Sequence, residues 1–305
     1  MLETEICNVK LQNPTVLASG FLGVDAFSLE RIAKCGAGAV TSKSCSLKSR
    51  EGYKNPTVLV EKSYMLNAIG LSNPGVKNEV EELKALKKKT KVPLIASVFE
   101  YSIKTFAEVA SEISEAKPDL IELDLSCPHL EGKEYKQFAS SKELAYEVIR
   151  AVKDAVSTIP VSAKLSPNVS DIKEIAKAVE KAEADAITVI NTIGGMLISL
   201  EARKPILANK FGGVSGPAIK PVALKCVYEI YSATEGQIPI IGTGGVTNGR
   251  DALEMSLAGA SAIGIGTAIY YRGIKVFKEI CKEMSLLLKE NGFSSFKETT
   301  GLAHK

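Results

Sequence analysis

Short apolar or β-branched runs recur along the chain, each followed by a polar loop and, in most cases, an amphipathic stretch. The runs are Thr15–Ala18, Ala39–Thr41, Pro93–Val98, Leu120–Leu123, Val161–Leu165, Ala186–Ile190, Ile238–Ile241 and Ala262–Ile265. Runs this short and this apolar suit strands covered on both faces, as in parallel sheets. Between them, spacing predicts helices over Val76–Lys89, Lys142–Ala155, Asp171–Lys181, Lys220–Tyr231 and Asp251–Leu257. Eight such runs alternating with helices over 305 residues predict an α/β fold, a (β/α)8 TIM barrel. Residues 3–12 (TEICNVKLQN) read as a short N-terminal hairpin under the barrel. The segment 44–75 is a long insertion after the second strand, and loops of that length are usually functional. A doubly wound open sheet competes, but it wants a glycine-rich first turn where only Ser19-Gly20 stands. The expected organisation is one domain over residues 1–305.

Composition narrows the function classes. The chain is 45% hydrophobic and 24% charged, enough to bury a core without metal or disulfide support. Its 38 basic and 35 acidic residues are interspersed, and the longest basic run, Lys87-Lys88-Lys89, closes a predicted helix. Cations belong there, at the negative end of the helix dipole. With no Trp and no stripe of aromatic and basic residues for bases to stack on, nucleic acid is not an expected partner. Six cysteines without a CxxC pair argue against a disulfide framework or a zinc site, so no metal is expected. The opening MLETEICNVK lacks the apolar centre of a signal peptide, and no apolar run nears ~20 residues. The expectation is a cytoplasmic protein with no membrane attachment.

In a barrel, chemistry sits where strands end, so the residues after each run matter most. Gly242-Thr243-Gly244-Gly245 follows the seventh run, and Gly264-Ile265-Gly266-Thr267 spans the end of the eighth. Paired glycine turns there let backbone N–H groups approach a phosphate. Gly212-Gly213 and Ser215-Gly216-Pro217 offer a third wall. Lys43 follows the second run and Lys164 stands one residue before the end of the fifth; a lysine directed into a barrel mouth wants an anion. Cys127, in Asp124-Leu125-Ser126-Cys127-Pro128-His129, lies in a polar loop after the fourth run, unlike Cys7, Cys35, Cys226 and Cys281, which read as small core residues. A nucleophilic Cys127/His129 pair is disfavoured because residues this near in sequence rarely face each other. Asn67 and Asn191 suit a ligand edge that alternates N–H and C=O, whereas Asn73, in Asn-Pro-Gly, reads as a turn former.

These segments are similar to a known family. NPTVLASG (13–20), TSK (41–43), NAIGLSNPG (67–75), LSCPH (125–129), KLSPNVSDI (164–172), INT (190–192), KPILAN (204–209), GGVSGPAIKPVALK (212–225), IPIIGTGGV (238–246) and AGASAIGIGT (258–267) resemble class 1 dihydroorotate dehydrogenases, in that family's order and across nearly the whole chain. The NAD-linked class 1B catalytic subunit is the nearest branch. The resemblance implies an FMN-bearing barrel oxidising dihydroorotate to orotate in pyrimidine biosynthesis. It implies Cys127 as the base for the C5 proton, and Lys43 in contact with both flavin and substrate. It places Lys164 at the flavin's pyrimidine edge, and Ser19, Ser44, Ser97, Asp124, Ile190, Gly216, Gly244, Gly245, Gly266 and Thr267 at the cofactor. Asn67, Ala68, Ile69, Gly70, Leu71, Asp124, Asn191 and Thr192 would hold the pyrimidine. A homodimer is implied, with a separate subunit carrying FAD and an iron–sulfur cluster; a fumarate-linked branch shares the cysteine base.

Two positions depart from the family pattern. Ser97 and Asp124 stand where asparagine is usual. Ser97 costs at most a flavin hydrogen bond, about 1 kcal/mol. Ionised Asp124 would repel a substrate carboxylate by ~1–4 kcal/mol, unless it is protonated or paired with a lysine. SCPH also resembles the flavin site of dihydropyrimidine dehydrogenases, which makes a neutral dihydropyrimidine the alternative substrate. Two other readings are a Schiff-base enzyme using Lys164 and a non-catalytic flavin-binding subunit.

Overall fold

A computed structural model describes residues 1–126 and 138–305. Eight parallel strands, β1 (Thr15–Leu17), β2 (Val40–Thr41), β3 (Leu94–Val98), β4 (Leu120–Asp124), β5 (Val161–Leu165), β6 (Ala186–Val189), β7 (Ile240–Thr243) and β8 (Ala262–Ile265), form one sheet. Their order is β1-β8-β7-β6-β5-β4-β3-β2. A parallel bridge between Val16 and Ala39, with the Leu17 N–H donating to the Ala39 carbonyl at 3.0 Å, joins the two ends. The expected (β/α)8 barrel is therefore the observed one.

Each strand is covered on both faces, and its side chains alternate between them. On β4, Ile121 and Leu123 point outward into the main core under the helices, so Leu120, Glu122 and Asp124 share the inner side. On β5, Val161, Ala163 and Leu165 point outward, which turns Ser162 and Lys164 inward. The helices meet the outer faces with apolar stripes. Helix α1 (Ala26–Lys34) starts at an Asp25/Ser28 capping box, and α2 (Val76–Lys89) follows the insertion. Helix α3 (Ile103–Ile113) is capped by Ser102 and buries Phe106, Val109, Ala110 and Ile113, a spacing that stays on one helical face. Around the ring follow α4 (Lys142–Ala155), α5 (Ile172–Lys181), α6 (Lys220–Ala233), α7 (Gly249–Leu257), the short α8 (Ala268–Arg272) and α9 (Val276–Glu290). Helices α1, α3, α8 and α9 carry no stretch singled out in the sequence.

The N-terminal hairpin pairs Thr4–Ile6 with Val9–Leu11 through Cys7 and Asn8, both at positive φ as a tight two-residue hairpin turn requires. Its Ile6 and Leu11 pack on Val16, Ala39, Ile95, Leu120, Ala186, Ile241 and Ala262, which line the barrel bottom. At the opposite end, the insertion after β2 supplies strands Val58–Val60 and Met65–Asn67. A second insertion, after β6, supplies Ile193–Met196 and Phe211–Ser215, and the four form one antiparallel sheet over the mouth.

Ile6→Ala should cost about 2–5 kcal/mol in urea unfolding, because it removes buried methyl groups from the packed plug and leaves a void. Leu200→Ala, at a position 84% exposed, should change stability by less than about 0.5 kcal/mol.

Candidate functional site

A cavity of about 430 Å³ opens at the C-terminal ends of the strands, under the antiparallel sheet. The strand ends bring Ser19, Lys43, Ser44, Asp124 and Lys164 to its wall from β1, β2, β4 and β5. Ile190, Asn191 and Thr192 arrive from β6, Gly244 and Gly245 from β7, and Gly266 and Thr267 from β8. The insertions add Asn67, Ile69, Gly70, Leu71 and Gly216. Residues gathered from widely separated segments of the sequence thus meet around one space.

Two predicted residues do not reach it. Ala68 is 1% exposed and packs beneath the antiparallel sheet with Leu66 and Leu207. Ser97 is fully buried one layer below, its hydroxyl 2.8 Å from that of Ser44, which itself faces the cavity. Strand alternation accounts for Ser97: it lies inside the barrel, but below the strand ends. Cys127 and His129 lie outside the described residues.

A polar layer lies between the apolar plug and the cavity. Glu122, 3% exposed, accepts from Ser19 Oγ (2.7 Å) and Ser97 Oγ (3.0 Å) at Oε1, and from Thr188 Oγ1 (3.0 Å) at Oε2. Lys164 Nζ donates to Ser19 Oγ at 2.6 Å and stands 3.8 Å from Glu122 Oε1. The sequence signal for Glu122 is a glutamate in phase with Asp124 inside the run LIELD, and it stands outside the residues expected at the site. Asp124 forms no ion pair among the described residues. Its Oδ1 accepts from the Ser126 N–H (3.1 Å) and hydroxyl (2.6 Å), and Asn191 Nδ2 reaches Oδ1 at 3.2 Å. The Asn191 amide also donates to Ser126 Oγ at 2.6 Å, so Asp124 and Asn191 are locked together on the wall. Asn73 does what a turn former does: its Oδ1 accepts from the Gly75 N–H at 2.9 Å.

The Lys43 ammonium forms no hydrogen bond or ion pair among the described residues, although its backbone N–H donates to the Gly23 carbonyl at 2.7 Å. Burial pushes its ammonium below the usual lysine range, with Glu79 opposing that shift and the Lys164 charge adding to it. Glu79, in the first turn of α2, is 1% exposed, and neither carboxyl oxygen has a partner among the described residues. Burial, with Glu82 and Asp25 nearby, pushes its carboxyl up from 4.5 to about 8.

The glycine turns fit a phosphate-bearing group. Gly245, at φ +74°, presses on the backbone nitrogen of Lys220, which a Cβ would meet at 2.7 Å, so the backbone itself must form this wall. At Gly266 a Cβ would meet nothing nearer than Ala18 at 3.7 Å; the missing side chain leaves room on the cavity side. With two ammonium groups across the same space, the donor set suits an anionic, planar cofactor such as FMN.

Fold and site together define a barrel enzyme that works at the C-terminal ends of its strands. The dihydroorotate dehydrogenase family profile matches residues 1–288. The chain is 50% identical to the catalytic subunit of dihydroorotate dehydrogenase B (NAD(+)) from Methanothermobacter thermautotrophicus, over 100% of this chain and 99% of that one. It is 46% identical to the protein of the same name from Methanocaldococcus jannaschii and 47% identical to that from Pyrococcus abyssi, again over 99–100% of both chains. The chain belongs to the dihydroorotate dehydrogenase family, whose members are oxidoreductases and FMN flavoproteins. Among the described residues, no helix is long and apolar enough to cross a membrane.

Glu79 has a pH signature. A carboxyl raised on folding favours the folded state below its unfolded pKa and loses that contribution as pH climbs towards the folded value. Stability should therefore fall between about pH 4.5 and 8. Glu79→Gln should flatten that fall, raising the melting temperature at pH 9 relative to the parent while changing it little at pH 5.

Proposed function

We propose that this chain is an FMN-dependent catalytic subunit that oxidises (S)-dihydroorotate to orotate. The observation that carries the reading is the cavity itself, where two lysines with uncommitted donors face glycine turns behind β7 and β8. Bound FMN would supply the hydride acceptor, its N5, for the substrate's C6. Lys43 would bind flavin and substrate together, and Lys164 would face the flavin's pyrimidine edge, where charge develops on reduction. Asn67 and its neighbours, with Asn191 and Thr192, would hold the pyrimidine. Cys127 would take the C5 proton, a role resting on the LSCPH resemblance.

The designation "catalytic subunit" of the relatives supports a second chain that passes electrons to NAD. With no CxxC pair here, FAD and iron–sulfur chemistry would reside in that partner, and a homodimer would form the catalytic core. A second reading, oxidation of a neutral dihydropyrimidine, is favoured by one observation. Asp124 lines the cavity without a lysine partner among the described residues, so a carboxylate substrate would meet it directly.

Anaerobic addition of dihydroorotate to the purified protein should bleach its flavin absorbance. Bleaching by dihydrouracil but not by dihydroorotate would transfer the site to the neutral substrate. Cys127→Ser should lower turnover near neutral pH by roughly 10²–10⁴-fold with flavin retained; unchanged turnover would remove the cysteine from the reaction. Asp124→Asn should lower the KM for dihydroorotate by about tenfold if carboxylate repulsion operates at the wall, equivalent to ~1.4 kcal/mol.

A further inference from the structure

The hydroxyl layer around Glu122 has a fixed polarity. An ammonium has donors and no acceptor, so Lys164 donates to Ser19, and Ser19 must pass its own hydrogen to Glu122. Thr188 reaches the second carboxylate oxygen from β6, and Ser97 reaches the first from β3. The charges therefore stand 3.8 Å apart, too far for a hydrogen bond and too near to act independently. One of the three ammonium donors is spent on Ser19, which leaves the others for the cavity.

We infer that Glu122 is a positioning residue for the flavin: through Ser19 it holds the Lys164 ammonium at the cavity floor and offsets part of its charge, setting how readily the bound flavin accepts electrons. The inference rests on the flavin reading of the cavity. A lysine without this counter-charge would stabilise the negative charge of a reduced flavin more strongly. A lysine in direct contact with the carboxylate would turn its donors away from the ligand. The serine between them keeps the cation close to the anion but free on its cavity side.

The test is a redox titration of the purified holoprotein carrying Glu122→Gln, which keeps the shape of the side chain and leaves hydroxyls free to reorient. Its reduced-to-oxidised flavin ratio at fixed poise should rise roughly tenfold, a midpoint about 30 mV more positive for a two-electron couple. Ser19→Ala removes the spacer and lets the ammonium close on the carboxylate, so its midpoint should move the opposite way. Opposite signs support the inference, because a layer that merely stabilises the barrel would not produce them. Bound flavin with an unmoved midpoint in Glu122→Gln, or shifts of one sign in both variants, overturns it. A parent protein that purifies without flavin overturns the flavin reading itself, and the inference with it.

Discussion

A buried cation and a buried anion on adjacent strands, Lys164 on β5 and Glu122 on β4, set the terms for the upper half of this barrel. Either charge alone inside the protein would cost several kcal/mol, and their attraction offsets this only if the remaining lone pairs find donors. Those donors come from the end of β1, from β3 and from β6, so satisfying one carboxylate requires four strands in register. A one-residue slip of β4 would turn Glu122 and Asp124 out under the helices and bring Leu123 inside. The same register that hides the acid also sets Asp124 on the cavity wall, so packing and site geometry are a single constraint.

The barrel interior is graded along its axis. Apolar side chains from the hairpin and from the lower ends of the strands close the bottom, hydroxyls and one carboxylate fill the middle, and two ammonium groups face the open end. Polarity thus rises towards the ligand, and a charged group at the mouth keeps some contact with solvent while its partner stays dry. Asp124 belongs to this gradient, held by Ser126 and Asn191.

Much of the architecture was legible because parallel strands covered on both faces leave strong apolar runs, and these coincide with all eight barrel strands. The site was legible where chemistry follows a strand end, as at Lys43, Lys164 and the glycine turns. It was less legible where a polar residue lies within a strand: Ser97 points inward, but one layer below the residues that line the cavity. Glu122 escaped for the same reason, since an isolated acid in an apolar run reveals its partners only when neighbouring strands are in place. The antiparallel sheet over the mouth left little trace, because strands such as Ile193–Met196 and Phe211–Ser215 are rich in glycine and lack the β-branched signature.

That sheet also bears on how the molecule is made. Met65–Asn67 pairs with Gly213–Ser215, a separation of roughly 150 residues bridged by direct contacts from Asn67 to Gly213 and from Ser215 to Met65. Contacts so distant in sequence form slowly, because a long loop must close before any pairing rewards it. During synthesis the segment around residue 65 emerges long before its partner exists, and it waits through four further strands of the barrel. The roof of the ligand chamber is therefore completed late, and a nascent chain acquires its enclosed site only after translation has passed the sixth strand.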